Sequence, residues 1–316
     1  MALDARPGVK ATPTTSKRRL GFMARSRVVE ALQAYLFLLP AAAILFTFQY
    51  LPAIDVFRIS LTNRLLLRPT AKFIGFDNYV RLWNDGRFWN AVWNTFYFVA
   101  ASVPFQMALA LLFAMALATR MRGVGIFRTT FFLPVVTSMV AVSVVWEWLY
   151  HPSIGLFNEI IKLFGGTPID WLSDQQWAMP AIILLIIWKG TGYYMVIYLA
   201  GLLDIPNEYY EAAKIDGASG WSMFRHITWP LLAPTTYLIL VLQMINSFQV
   251  FSSVYVMTGG GPLRSTEVVV YYLFQRAFES LEFGYASAIS VVMFVFLVIV
   301  TILQRVFVGS RVSYDR

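Results

Sequence analysis

Ile205-Pro206-Asn207-Glu208-Tyr209-Tyr210-Glu211-Ala212-Ala213-Lys214-Ile215-Asp216-Gly217-Ala218-Ser219-Gly220-Trp221-Ser222-Met223-Phe224-Arg225-His226-Ile227-Thr228-Trp229-Pro230 is the stretch on which the reading of this chain turns. It is polar and stands between two long apolar runs. Its pattern predicts two short helices with a hinge. Pro206 suits a first helical turn, and Glu208 favours the positive end of a helix dipole. Asp216-Gly217 supplies a stop, because glycine takes the left-handed conformation without a steric penalty. Ser219 can cap a second helix, which Pro230 is expected to end. Ala212 and Ala213 make the first helix thin, so a partner's surface can approach its backbone. Two readings fit: a loop shaped to dock into a partner, and an ordinary helical connection between spans.

The flanking runs set the fold class. The chain is 58% hydrophobic and only 13% charged, against about 25% charged in an ordinary soluble domain. Six apolar segments lie near Ala31–Leu51, Trp93–Ala118, Ile126–Tyr150, Trp177–Leu203, Leu231–Met257 and Gly284–Phe307. Each exceeds the roughly 20 residues that a helix needs to cross the hydrocarbon layer. Inside a bilayer only helices or closed barrels satisfy the backbone, and these runs are too continuous for barrel strands. The expectation is an all-α polytopic membrane protein with about six transmembrane helices, a basic tail over 1–30, a membrane domain over 31–310 with its core at about 90–308, and the polar loop at 204–230. Tyr35, Tyr50, Trp89, Trp93, Trp146, Trp148, Tyr150 and Trp177 sit near segment ends, as interfacial belts would place them.

Lysine and arginine set the expected orientation. Six crossings put both termini on one side, and fifteen basic residues fall on that side against nine on the other. The excess marks the cytoplasmic side, so both ends are expected inside. The first outer loop opposes the trend, with Arg58, Arg64, Arg68, Lys72, Arg81 and Arg87; its apolar residues suggest that it folds against the outer membrane face. In the second outer loop, Gly155–Phe164 reads as a short amphipathic helix with Leu156, Ile160, Ile161 and Phe164 on one face. A cleaved signal peptide is the rival reading of the first thirty residues, but the run that follows is long and lacks a small-residue cleavage site in the usual place. The net charge of +8 follows from this orientation bias, and no basic helix or aromatic ladder for nucleic acid is present. There is no cysteine, which excludes disulfides, thiolate metal sites and cysteine nucleophiles.

Glu211-Ala212-Ala213, Asp216-Gly217-Ala218, Ile227 and Pro230, at this spacing and preceded by Ile205-Pro206, resemble the EAA loop of binding-protein-dependent ABC importer permeases. Trp229 departs from the leucine usual before the proline. The resemblance continues through Phe73-Ile74-Gly75-Phe76-Asp77-Asn78-Tyr79, Phe88-Trp89, Asn94-Thr95, Trp188-Lys189, Gly192, Leu199-Ala200-Gly201-Leu202, Thr258-Gly259-Gly260-Gly261-Pro262 and Gly284-Tyr285-Ala286-Ser287-Ala288. It covers all but the first thirty residues and is nearest to the maltose-type carbohydrate and glycerol-phosphate permeases. It implies the type I ABC importer permease fold. It also implies that Glu211, Ala212, Ala213, Asp216, Gly217, Ile227 and Pro230 couple to an ATPase, whose cleft receives this loop. The partners implied are a second homologous permease, two ATP-binding subunits or a homodimeric ATPase, an extracytoplasmic solute-binding protein, and membrane lipid.

The chain carries no phosphate-binding G-x-x-x-x-G-K-[ST] loop, so ATP and Mg are expected on the partner subunits, and this chain is expected to bind no cofactor. It shows no H-E-x-x-H and no nucleophile elbow, and His151 and His226 stand alone in loops. No catalytic residue and no metal site is expected. Lys189 lies inside the fourth run, where a charge costs roughly 2.5–3.5 kcal/mol on insertion scales. It either snorkels or pairs, or it faces a translocation path; Tyr193 and Tyr194 beside it favour the path. Gln243, Asn246, Ser247 and Gln249 cluster in the fifth run, as helix-to-helix glue or as partners for sugar hydroxyls. In relatives of known arrangement the substrate contacts fall on these two spans, and alignment to that pattern selects Lys189, Gly190, Tyr193, Asn246 and Ser247. A secondary transporter or channel acting without an ATPase is the alternative, but ion-coupled carriers usually hold carboxylates inside spans. Here only Glu147 comes near one, at an outer end.

Overall fold

The computed structural model describes residues 16–68, 70–118 and 124–307, with side chains from residue 30 onward. Contacts divide the chain into a leading unit that ends at Val56 and a second unit that starts at Phe57. The leading unit is helical: α1 (Ser16–Leu45), a π turn at Phe46–Tyr50, and the start of α2 (Leu51–Ser60). Its side chains are uncovered from residue 30 to 55. The expected tail is therefore already helical from Ser16; residues 1–15 lie outside the description.

The second unit opens with the rest of α2 and then α3 (Asp77–Trp83) and α4 (Gly86–Ala118). There follow α5 (Val124–Val136), α6 (Met139–Leu149), α7 (Leu156–Leu163), α8 (Ala178–Leu203), α9 (Asn207–Ile215), α10 (Gly220–Met223), α11 (Trp229–Leu231), α12 (Ala233–Phe248), α13 (Ser252–Met257), α14 (Val269–Phe274) and α15 (Phe283–Phe307). Among the described residues there is no strand, only one isolated bridge between Thr62 and Phe73. Five helices are long and apolar enough to span a membrane, and a bent pair makes a sixth.

That pair corrects the expected third span. Ile126–Tyr150 is not one helix: α5 and α6 meet at 99° across a short break. Pro134 lacks the N–H of an interior helical residue, which weakens the ladder here. Thr137 turns its hydroxyl back to the Pro134 carbonyl at 2.6 Å, and Ser138, extended at ψ 135°, restarts the chain as the N-cap of α6. The fourth and sixth spans fall where expected. The second starts seven residues earlier, at Gly86, and the fifth is interrupted after Phe248.

Two apolar clusters fill the bundle. Phe98, Val103, Trp146, Ile182, Leu185, Phe248 and Val254 form one, and Ala114, Met195, Tyr198, Leu232 and Ile239 the other. α4 lies along α8 in both, so these two helices form the spine against which the rest pack. A third cluster, with Leu82, Phe88, Tyr272, Tyr285 and Ile289, ties the start of α4 to α14 and α15.

The segment between the first two spans is tied down by hydrogen bonds and ion pairs. Asn78 donates to the Ser60 and Thr62 carbonyls at 2.7 and 2.9 Å. Arg81 donates to Glu282 at 3.0–3.1 Å, and Arg87 pairs with Glu267, which is 1% exposed. Two of the basic residues that blurred the orientation bias are thus held in ion pairs. In α7 Asn158 is buried, while Leu156, Ile160 and Phe164 are exposed. The apolar face expected on that helix exists but is uncovered by this chain.

Candidate functional sites

A cavity of about 420 Å³ opens between α4, the α5–α6 break, α8 and the α12–α13 break. Four of the residues selected from sequence line it: Lys189, Gly190, Asn246 and Ser247. Tyr193 does not. One residue along α8 rotates a side chain by about 100°, so Tyr194 faces the cavity while Tyr193 is 40% exposed and packs edge-on against it. The Asn246 amide reaches the Tyr194 hydroxyl at 3.5 Å.

Sequence reasoning missed three further contributions. Gln106 reaches the cavity from the second span; a single glutamine inside an apolar run was the available signal. Met139 lines it because α6 starts at the break. Val250, Phe251, Ser252 and Ser253 line it because the fifth span is interrupted there. Gln249 and Gln243 are not among the lining residues. Gln243 is 1% exposed and donates to Gln106 at 2.6 Å, holding helices together.

Lys189 has a dual position. It borders the cavity, and its ammonium donates to the Pro134 and Thr137 carbonyls at 2.7 and 2.8 Å, with Val135 at 3.4 Å. Among the described residues no carboxylate pairs with it. The residue thus borders the cavity while its charge is met by backbone carbonyls rather than by a carboxylate.

The second site is the polar loop. α9 is exposed along its length with no buried residue. Glu211, Ala212, Asp216 and Gly217 are exposed, and Ala213 is half-buried. Gly217 has φ +76°, the left-handed conformation the sequence required. The Ala218 N–H bonds back to the Ala213 carbonyl at 2.9 Å, which closes the helix end as a Schellman turn does. Ser219 caps α10 through the Ser222 N–H at 3.3 Å. Pro230 does not end the second helix. A π turn at Phe224–Thr228 precedes it, and the helical path continues through Trp229–Leu231 toward α12. The wider turn accommodates a ring that would otherwise meet the carbonyl four residues back. Ile227 is half-buried and Pro230 exposed. The loop is anchored to the bundle by buried Ile205, and its two halves are joined by a 3.0 Å hydrogen bond between the Tyr210 and Thr228 hydroxyls. Outward it presents Tyr209, Ile215 and Trp221, which are 53%, 87% and 69% exposed. A rigid loop with an exposed mixed apolar and acidic face can serve as a lever between a partner and the spans.

Helices long and apolar enough to span a membrane, a cavity among them with a few polar groups, and an exposed polar loop are the arrangement of a transport permease. Residues 83–312 match the model of the binding-protein-dependent transport system inner membrane component family, and the chain belongs to that family, as a permease subunit of an ABC importer. It is 38% identical over 277 residues to the lactose transport system permease protein of Rhizobium radiobacter, covering 85% of this chain and 92% of that one. It is 36% identical over 273 residues to the trehalose/maltose transport system permease protein of Thermococcus litoralis, covering 86% and 92%. A solved bacterial ABC transporter involved in the import of alginate shares the fold, with a TM-score of 0.78 at 24% identity over 90% of this chain and 99% of that one.

Proposed function

We propose that this chain forms half of a translocation path for a sugar or related polyol, paired with a second homologous permease. Two ATP-binding subunits, or a homodimeric ATPase, act on it through the 204–230 loop, and a solute-binding protein delivers substrate from outside. The observation that carries this reading is the cavity wall. Asn246, Ser247, Tyr194 and Gln106 bring amides and hydroxyls to one apolar-walled space, with aromatic faces at Phe98 and Phe251. Hydroxyl-rich, uncharged ligands are recognised by such a set: short polar groups for the hydroxyls and aromatic rings for the apolar ring faces. The names of the lactose and trehalose/maltose relatives support the same class.

Both termini are assigned to the cytoplasm, which puts the loop beside the ATPase. The chain is free of cysteine, so single thiols report side. Ser153→Cys should react with an impermeant maleimide added to whole cells, and Ser219→Cys should not. The function is tested by reconstituting the chain with its partner permease, ATPase and binding protein in vesicles and measuring ATP-driven uptake of lactose, maltose, trehalose and glycerol phosphate. Uptake of a saccharide supports the reading; uptake with no ATPase present removes it in favour of a self-sufficient carrier.

A further inference from the structure

The break between α5 and α6 leaves a helix end inside an apolar bundle. The last four carbonyls of any α-helix lack intrahelical partners, and in a bilayer water cannot meet them. Here the Pro134 carbonyl at the α5 end is met by the Thr137 hydroxyl and by one side chain from another span. An ammonium has three N–H donors and no acceptor, and Lys189 directs its donors at Pro134, Thr137 and, more distantly, Val135. Nearly one turn further along α8, a Cβ on Gly192 would lie 1.9 Å from the Phe131 carbonyl. The body of α5 is therefore seated directly on α8, and Lys189 grips its end. The start of α6 is held by packing instead: the Ser138 side chain makes no capping bond, and Val142, Ser143 and Trp146 are buried in the bundle. Behind the break a second space of about 590 Å³ is lined by Leu109, Phe113, Phe131, Pro134, Thr137 and Trp188, among others.

We propose that Lys189 is a positioning residue for the transport cycle. It clamps the carbonyl end of α5, fixes the bend at Thr137–Ser138, and so sets where α6 and Met139 stand on the cavity wall. Lys189 thereby holds α5 to α8 and sets the angle at which α6 leaves the break. This role rests on the permease reading but concerns the hinge rather than the cargo. It differs from direct substrate contact because the ammonium's donors are directed at backbone carbonyls.

The test is a distance measurement on the assembled importer. Spin labels are placed at Thr129→Cys on α5 and Val145→Cys on α6, both exposed. Pulsed dipolar spectra are recorded nucleotide-free and vanadate-trapped, each in wild type, Lys189→Met and Lys189→Arg. The clamp predicts one narrow distance distribution per state in wild type. Lys189→Met should broaden both and shift them to longer distances, as the bend relaxes. Lys189→Arg, still a multiple donor, should restore narrow distributions. If Lys189→Met fails to accumulate in the membrane, Lys189→Gln is measured by the same criterion, since it keeps N–H donors without the charge; an intermediate width is then expected. Unchanged distributions in the methionine or glutamine variant overturn the proposal. So does a lowered unfolding temperature with the distances intact, which would make the residue merely structural. The distances need no substrate, so a failure of the sugar reading would appear in uptake alone and leave this result interpretable.

Discussion

Gln243 donates its amide to the Gln106 side-chain oxygen at 2.6 Å, and Gln106 in turn donates to the Ile186 carbonyl at 2.9 Å. Three spans are linked by two glutamines that are 1% and 2% exposed. In a bilayer the alternative to such a bond is an unpaired amide among hydrocarbon, so the pair specifies how the helices register. Gln106 also borders the cavity, so this junction connects the packing of the bundle to the cavity wall.

Removing one member leaves the other stranded. Gln106→Leu should therefore destabilise the bundle by about 1–3 kcal/mol, the cost of an unmet buried polar group. The double variant Gln106→Leu/Gln243→Leu should recover part of that loss. Unfolding midpoints in detergent check this, with the double-mutant cycle isolating the pair. Additive losses would show that the two amides do not act together.

For the cavity, Asn246→Ala and Ser247→Ala should weaken substrate use by the equivalent of about 1–3 kcal/mol each, a lost polar partner. Tyr194→Phe should do the same by removing a hydroxyl, while Tyr193→Phe should have a smaller effect because that side chain is not on the wall. The measurement is the KM and maximal rate of ATP-driven uptake. A larger effect at Tyr193 than at Tyr194 would contradict the geometry described.

In the loop, no atom lies within 4 Å of a Cβ built on Gly217. A side chain there clashes with nothing in this chain and meets only backbone strain, about 1–2 kcal/mol in the left-handed region. Gly217→Val should thus insert normally yet lose transport, because the added bulk meets the docked ATPase. Glu211→Lys, which reverses an exposed charge, should do likewise. Co-purification of the ATPase and substrate-stimulated hydrolysis check both, and full docking with full stimulation would remove the loop from coupling.

Asp85 gives a pH dependence. Burial pushes its carboxyl up, but the Tyr272 and Tyr285 hydroxyls and the Arg87 and Phe88 backbone N–H groups outweigh this and hold it below the usual carboxylate range. The Tyr285 hydroxyl lies 2.6 Å away. A depressed folded-state pKa contributes stability above the unfolded value, about 3.9, and that contribution fades as pH falls through the folded one. Asp85→Asn should therefore cost about 1–3 kcal/mol at pH 7, with the gap to wild type closing below about pH 4. A gap constant with pH would mean that the carboxylate's charge is not what holds these helices.

By itself the sequence determined the fold class, because run length against bilayer thickness leaves helices as the only way to satisfy the backbone. It also determined the local geometry of the loop. Gly217 and Ser219 act through their own backbone and nearest neighbours, so their positions suffice to predict the left-handed stop and the cap. Of the five residues selected by resemblance on α8 and α12, four line the cavity, and a one-residue difference on α8 separates Tyr193 from Tyr194. Only the tertiary structure decided the rest. Pro134 and Pro104 look alike in sequence, yet α4 runs through Pro104 while the third span breaks after Pro134. A break in hydrocarbon persists where other chain segments meet the freed carbonyls, and at Pro134 the donor, Lys189, arrives from 55 residues away. The same holds for Arg87 and Glu267, which are 180 residues apart in the chain. Partners so distant follow from how helices pack, and no local pattern records them.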